Sequence, residues 1–126
     1  MEVPADRRYT AEHEWLLPTE AGKYRIGVTD YAQDALGDVV FVELPDVGAS
    51  YAANATMAEV ESTKSVAEVY APLAGTVVET NAALVDDPGL INRDPYGEGW
   101  FVVLDISDGA AFDGLLDADG YKGITE

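Results

Sequence analysis

The sequence predicts a mostly β protein, a sandwich or barrel with a few short helices, and three observations predict it. Short runs rich in β-branched and aromatic residues recur along the chain, several of them alternating apolar and polar positions. Turn signals separate these runs about every eight to twelve residues, the spacing of all-β folds. No break in composition divides the 126 residues, and that length suits one domain with a real core, expected here over residues 1–126.

Taken in order, "EWLLP" (14–18) and "YRIGVT" (24–29) flank the polar, Gly-containing "TEAGK" and read as a hairpin. Asp30 and Gln33 form a capping-box-like pair, and Gly37 closes "YAQDAL", so a short helix follows. "DVVFVELP" (38–45) is a strand stopped by Pro45 and the turn "PDVG". "ATMAEVE" (55–61) and "SVAEVYAP" (65–72) make the next strand pair. In the first of them Ala58 and Val60 take one face, Glu59 and Glu61 the other. "PLAG" turns the chain into the strand "TVVETN", and residues 85–99, "VDDPGLINRDPYGEG", are rich in turn formers. "WFVVLDIS" (100–107) is the last strong strand, and "AAFDGLLDADGY" reads as a poor helix interrupted at Gly114. Ala-Glu-Val occurs at 58–60 and again at 67–69, which suggests two similar hairpins packed as halves.

Composition narrows the function. Asp and Glu number 24 against 7 Lys plus Arg, for a formal net charge of −17. Nucleic acid is a poor partner for such a surface, because phosphate binding needs clustered cations. A surface this acidic and this poor in lysine resembles that of proteins from a salt-rich cytoplasm, where salt screens self-repulsion. There is no long apolar run and no secretory pattern at 1–10, so a soluble, cytoplasmic protein without a membrane partner is expected. The chain has no cysteine, which excludes disulfides, thiolate metal sites and a cysteine nucleophile, so any redox chemistry needs a borrowed group. The one histidine, His13, makes no typical metal site, and packing or capping is its expected role. "VDD" and "LDADG" lack the ligand spacing of a calcium loop. No nucleophile elbow or phosphate-cradling glycine pattern occurs.

Lysine stands only at positions 23, 64 and 122. Lys64 lies in "ESTKS", where a tight turn joins two strands. A lysine there is either a solvated charge or an amine presented for acylation, which would give a carrier a long arm.

Four blocks, "RYTAEHEWL", "GVTDYAQDALGDVVFVELPDVG", "VESTKSVAEVYAPLAGTVVETN" and "LINRDPYGEGW", resemble the glycine cleavage system H protein family in order and spacing, from about Arg8 to Tyr121. The resemblance implies a barrel-sandwich hybrid of the lipoyl/biotinyl type, with short flanking helices. It implies lipoic acid in amide linkage to Lys64, on an arm of on the order of ten single bonds reaching roughly 12–15 Å. It implies a carrier rather than an enzyme, expected to be monomeric. The partners implied are a pyridoxal-phosphate glycine decarboxylase, a tetrahydrofolate-dependent aminomethyltransferase, dihydrolipoamide dehydrogenase and a lipoylating enzyme. By position, Glu61, Ser62, Thr63, Ser65 and Gly75 fall to lipoylation, Gly75 through a tight turn. Glu14, Val28, Ala32 and Ala35 fall to a cleft that shelters the aminomethyl arm. Family members commonly carry "ESVKA" where this chain has "ESTKS", and Thr63 and Ser65 are small enough to keep Lys64 presented. Two other roles are carried beside this one: a lipoyl donor or relay for other complexes, and an unmodified β scaffold that binds through its acidic surface.

Overall fold

The computed structural model describes residues 2–125. Nine strands and five short helices follow one another among them. β1 (Arg8–Tyr9), β2 (Glu14–Glu20) and β3 (Lys23–Val28) lead into α1 (Asp30–Leu36). β4 (Val39–Glu43), β5 (Ser50–Tyr51), β6 (Thr56–Ser62), β7 (Val66–Tyr70) and β8 (Gly75–Thr80) follow. α2 (Ala83–Asp86), α3 (Leu90–Arg93), β9 (Val102–Asp105), α4 (Gly109–Asp113) and α5 (Ala118–Thr125) complete the chain. The strands form two sheets, one ordered β1-β2-β3-β9-β8-β5 and the other β4-β6-β7, and all pairings are antiparallel.

The mostly β expectation holds, and the inward positions of both sheets supply the main core. Leu16, Ile26, Val60, Val77, Leu104 and Ile106 meet Leu84, Ile91 and Phe101 there, all buried. Burial of side chains of this size contributes about 1.5–3 kcal/mol each. A second cluster joins Tyr9 and Trp15 to Ala118 and Tyr121 of α5, with the Tyr9 and Tyr121 rings stacked at 4.8 Å. Gly27, opposite Trp15 in the register, leaves room for the indole, since a Cβ there would lie 2.6 Å from the ring. The indole N–H donates to the Val28 and Pro95 carbonyls.

Several expectations change in detail. The first hairpin turns at Ala21–Gly22 rather than over all of "TEAGK", because β2 continues to Glu20 and left-handed Gly22 makes the reversal (φ 77°). The cap of α1 is Thr29, whose Oγ1 accepts from the Ala32 N–H, while Asp30 sits inside the first turn and accepts from the Gln33 side chain. Residues 85–99 include helical turns at the end of α2 and in α3, single turns whose sequence is indistinguishable from loop. Gly114 parts two helices instead of interrupting one. The Ala-Glu-Val copies are not halves of the molecule. They pair with each other, Ala58 with Val69, Glu59 with Glu68 and Val60 with Ala67, as the two arms of one hairpin.

Candidate functional site

The β6–β7 hairpin ends in a tip at Thr63 and Lys64 that its own side chains build. Ser62 N–H donates to the Ser65 carbonyl at 2.8 Å, closing the turn. Ser62 Oγ accepts from the Lys64 and Ser65 N–H groups at 3.3 and 3.1 Å and donates to the Ser65 carbonyl at 3.1 Å. This local side-chain bonding fixes a turn that sequence alone leaves loose. Thr63 N–H donates to the Asp38 carbonyl at 3.0 Å, tying the tip to the α1–β4 connection.

That connection is a platform. Gly37 has φ 79°, and a Cβ placed on it would stand 3.3 Å from Lys64 Cε and 3.7 Å from Cδ. The stem of Lys64 therefore lies across bare glycine backbone. Asn92 of α3 holds the platform from below, its Nδ2 donating to the Gly37 carbonyl at 2.8 Å and its Oδ1 accepting from the Val39 N–H at 2.9 Å. Lys64 is exposed, and among the described residues the ion pairs are Arg7–Asp6 and Arg93–Asp87, neither of which involves it. An amine held at a hydrogen-bonded tip, with its stem supported and its head in solvent, suits covalent attachment of an acyl arm.

The other residues read from the sequence separate into groups. Glu61, Ser62, Thr63 and Ser65 surround Lys64 on the hairpin. Gly75 does not make a left-handed turn. It opens β8, where a Cβ would meet the Asp105 carbonyl oxygen at 2.8 Å and Ile106 Cγ1 at 3.1 Å, so its role is close strand approach.

Glu14 and Val28 are a cross-strand pair, where β2 starts and β3 ends. Ala32 is packed against the main core, and Ala35, one turn further on, is exposed. Glu14 is no surface carboxylate: it is only 3% exposed. Its Oε1 accepts from Thr10 Oγ1 at 3.0 Å, and its Oε2 accepts from the Tyr70 N–H of β7 at 3.0 Å. The carboxyl thus bridges the two sheets. Burial pushes its pKa up to about 7, against the lowering effect of the two hydrogen bonds.

His13 has the packing role read for it. In a left-handed backbone (φ 70°), its ring lies 4.5 Å from that of Tyr31 and its Nδ1 is 2.7 Å from the Tyr121 hydroxyl. Sequence reasoning took Gly37 only as a helix stop and passed over Thr10, Tyr70 and Asn92. The Tyr70 contribution is a backbone N–H, which leaves no signature in a side-chain pattern. Among the described residues no group of three or more His, Cys, Asp or Glu is placed to hold a metal, and no helix is long and apolar enough to cross a membrane.

Comparison with known proteins agrees with this geometry. The model of the family described as glycine cleavage H-protein matches residues 7–126. A glycine cleavage system H protein of Mycolicibacterium smegmatis is 56% identical over 126 residues, covering 98% of this chain and 96% of its own. The one from Mycobacteroides abscessus is 53% identical, covering 99% and 98%. A crystal structure of a glycine cleavage system H protein from Mycobacterium marinum superposes with a TM-score of 0.87 at 45% identity, over 98% of each chain. The two sheets with short flanking helices are the barrel-sandwich hybrid expected. These relatives are mycobacterial and lend no support to an origin in a salt-rich cytoplasm.

Proposed function

The chain belongs to the glycine cleavage H-protein family, and from that membership we propose that Lys64 is its lipoyl attachment residue and Glu14 the residue that shelters the loaded arm. Members of the family are carriers and not catalysts; they hold lipoic acid on a lysine and act with glycine decarboxylase, aminomethyltransferase and dihydrolipoamide dehydrogenase. When bound, the lipoyl group supplies the sulfur that takes up the aminomethyl unit and the dithiol that is reoxidised. This chain's residues supply position. Residues 1–126 act as one carrier domain in this reading, and a cytoplasmic location goes with it.

The observation that carries the reading is Lys64 at a tip braced by Ser62, with its stem on Gly37. Among the recognition residues, Glu61 is exposed beside the tip, and Ser62, Thr63 and Ser65 set its shape. Gly75 acts at a distance, by letting β8 close on β9. The Glu14 carboxyl is held on both oxygens, so in this reading it would receive the amine of the loaded arm without having to reorganise. Val28, paired across the strands with Glu14, and Ala32, packed on the main core, are the apolar residues assigned to the arm in this reading, and Ala35 is the exposed one.

Intact mass and peptide mapping of protein made in its native cells test the attachment. A lipoyl increment on the Lys64 peptide, lost in Lys64→Arg, is expected; an unmodified Lys64 overturns it and favours an unmodified scaffold. For the shelter, loaded Glu14→Ala is expected to lose its aminomethyl group to water faster than wild type. Equal rates would remove Glu14 from that role.

A further inference from the structure

The outer face of the β4-β6-β7 sheet has an order that the carrier role leaves unexplained. A β-bulge between Val39 and Phe41 turns two consecutive apolar residues outward, Val40 at 56% and Phe41 at 49% exposure. The register sets Phe41 opposite Glu61, and Glu61 opposite Val66, which is 60% exposed. The row nearest Lys64 thus reads Phe41–Glu61–Val66. By the pleat, the next row on the same face is Glu43–Glu59–Glu68, three carboxylates in direct register. Like charges directly opposite destabilise a sheet, and exposed apolar side chains gain nothing from water. A monomer alone has no use for either row.

The geometry points to this face as the docking surface for the enzyme that acylates Lys64, a partner with an apolar recess set beside a cationic patch. This rests on the attachment at Lys64 proposed above. Acylation requires Lys64 Nζ, as the free amine, to form an amide bond to an acyl carbon activated as an adenylate or thioester. The bond from that carbon to its phosphate or sulfur leaving group breaks, and one amine proton passes to solvent. The unmodified side chain reaches only about 6 Å from its Cα. Its acceptor site must therefore enclose the tip, and the row two to three residues from Lys64, at about 7–10 Å along the strands, falls inside that contact. A partner that receives the loaded arm can stand farther off, because the acylated arm reaches roughly 12–15 Å. Phe41 and Val66 then anchor the complex, Glu61 lies between them, and the row of carboxylates steers a cationic surface onto it.

The test is the kinetics of acylation of the purified unmodified protein by an ATP-dependent lipoate ligase with lipoate and ATP. Phe41→Thr with Val66→Thr keeps strand-compatible side chains, and is expected to raise KM for the protein about tenfold at near wild-type kcat. Glu43→Gln with Glu59→Gln and Glu68→Gln is expected to raise KM and to flatten its salt dependence. Ile124→Thr, a change at an equally exposed site on α5 (49%), controls for lost surface hydrophobicity and stays at wild-type KM. Wild-type kinetics and salt slope in both face variants would overturn the assignment. So would a defect confined to loading by the decarboxylase, which would give the face to that partner. A wild-type chain left unacylated would refute the attachment at Lys64, and the docking face with it.

Discussion

Burial of the Glu14 carboxyl makes its charge depend on pH near neutrality, since it titrates at about 7 in the folded chain. The ordinary value for a glutamate is lower, so between about 4.5 and 7 the folded state holds a proton that the unfolded state has released. Stability contributed at this site is therefore full below about 4.5 and falls as pH rises to about 7. The Glu14→Gln variant keeps acceptor and donor positions for Tyr70 N–H and Thr10 but does not titrate. Urea unfolding should show wild type losing on the order of 3 kcal/mol relative to Glu14→Gln across that window; parallel pH profiles would contradict it. Gly37 invites a different substitution. Gly37→Ala forces alanine into φ 79°, ψ −160°, a backbone region open in practice only to glycine, and sets a methyl 3.3 Å from Lys64 Cε. A cost of about 1–2 kcal/mol and slower acylation of Lys64 are expected. Gly48→Ala (φ 94°) meets nothing within 4 Å and should share the backbone cost while Lys64 is acylated at the wild-type rate.

At the scale of elements, the tip is held by pieces distant in sequence. Asn92 of α3 bonds Gly37 and Val39, Thr63 bonds Asp38, and Asn92 Nδ2 also donates to Gln33 at 3.1 Å. Asn92→Ala leaves the Val39 N–H and the Gly37 carbonyl short of partners, at a cost of about 1–3 kcal/mol. Amide exchange over 37–40 should quicken more than exchange in β9; uniform quickening would argue against a local staple. α1 is fixed at its other end through Thr29 Oγ1, which lies 2.7 Å from the Tyr121 hydroxyl, itself bonded to His13. The C-terminal helix thereby secures the start of the helix that ends in the platform. Strands were the legible elements, because alternation and turn residues are local signals. β1, β5, α2 and α3 were not, because each is a two-residue strand or a single helical turn that exists through its neighbours.

Across the whole molecule, a net charge of −17 opposes compaction, since like charges on a small surface repel. Screening tightens from about 8 Å at physiological ionic strength to about 3 Å at 1 M. Adding KCl should therefore raise Tm, by roughly 4 °C for each 1 kcal/mol of repulsion relieved, as a calorimetric scan in rising KCl would record. A flat or falling Tm would mean that the carboxylates are already balanced.

What the sequence determined by itself was the kind of molecule and the place of its chemistry. Alternation fixed the faces of β6, the hairpin placed Lys64 between its strands, and four ordered blocks pointed to the family. Tertiary structure alone decided how Lys64 is supported, that Glu14 is a bridge between sheets and not a surface charge, and that Gly75 serves strand approach. The reason is physical. Period and turn chemistry act between neighbours in the chain, whereas the glycine under a lysine stem, the N–H of Tyr70 on a buried carboxyl and a bulge that turns Phe41 outward depend on packing between segments that meet only in the folded state.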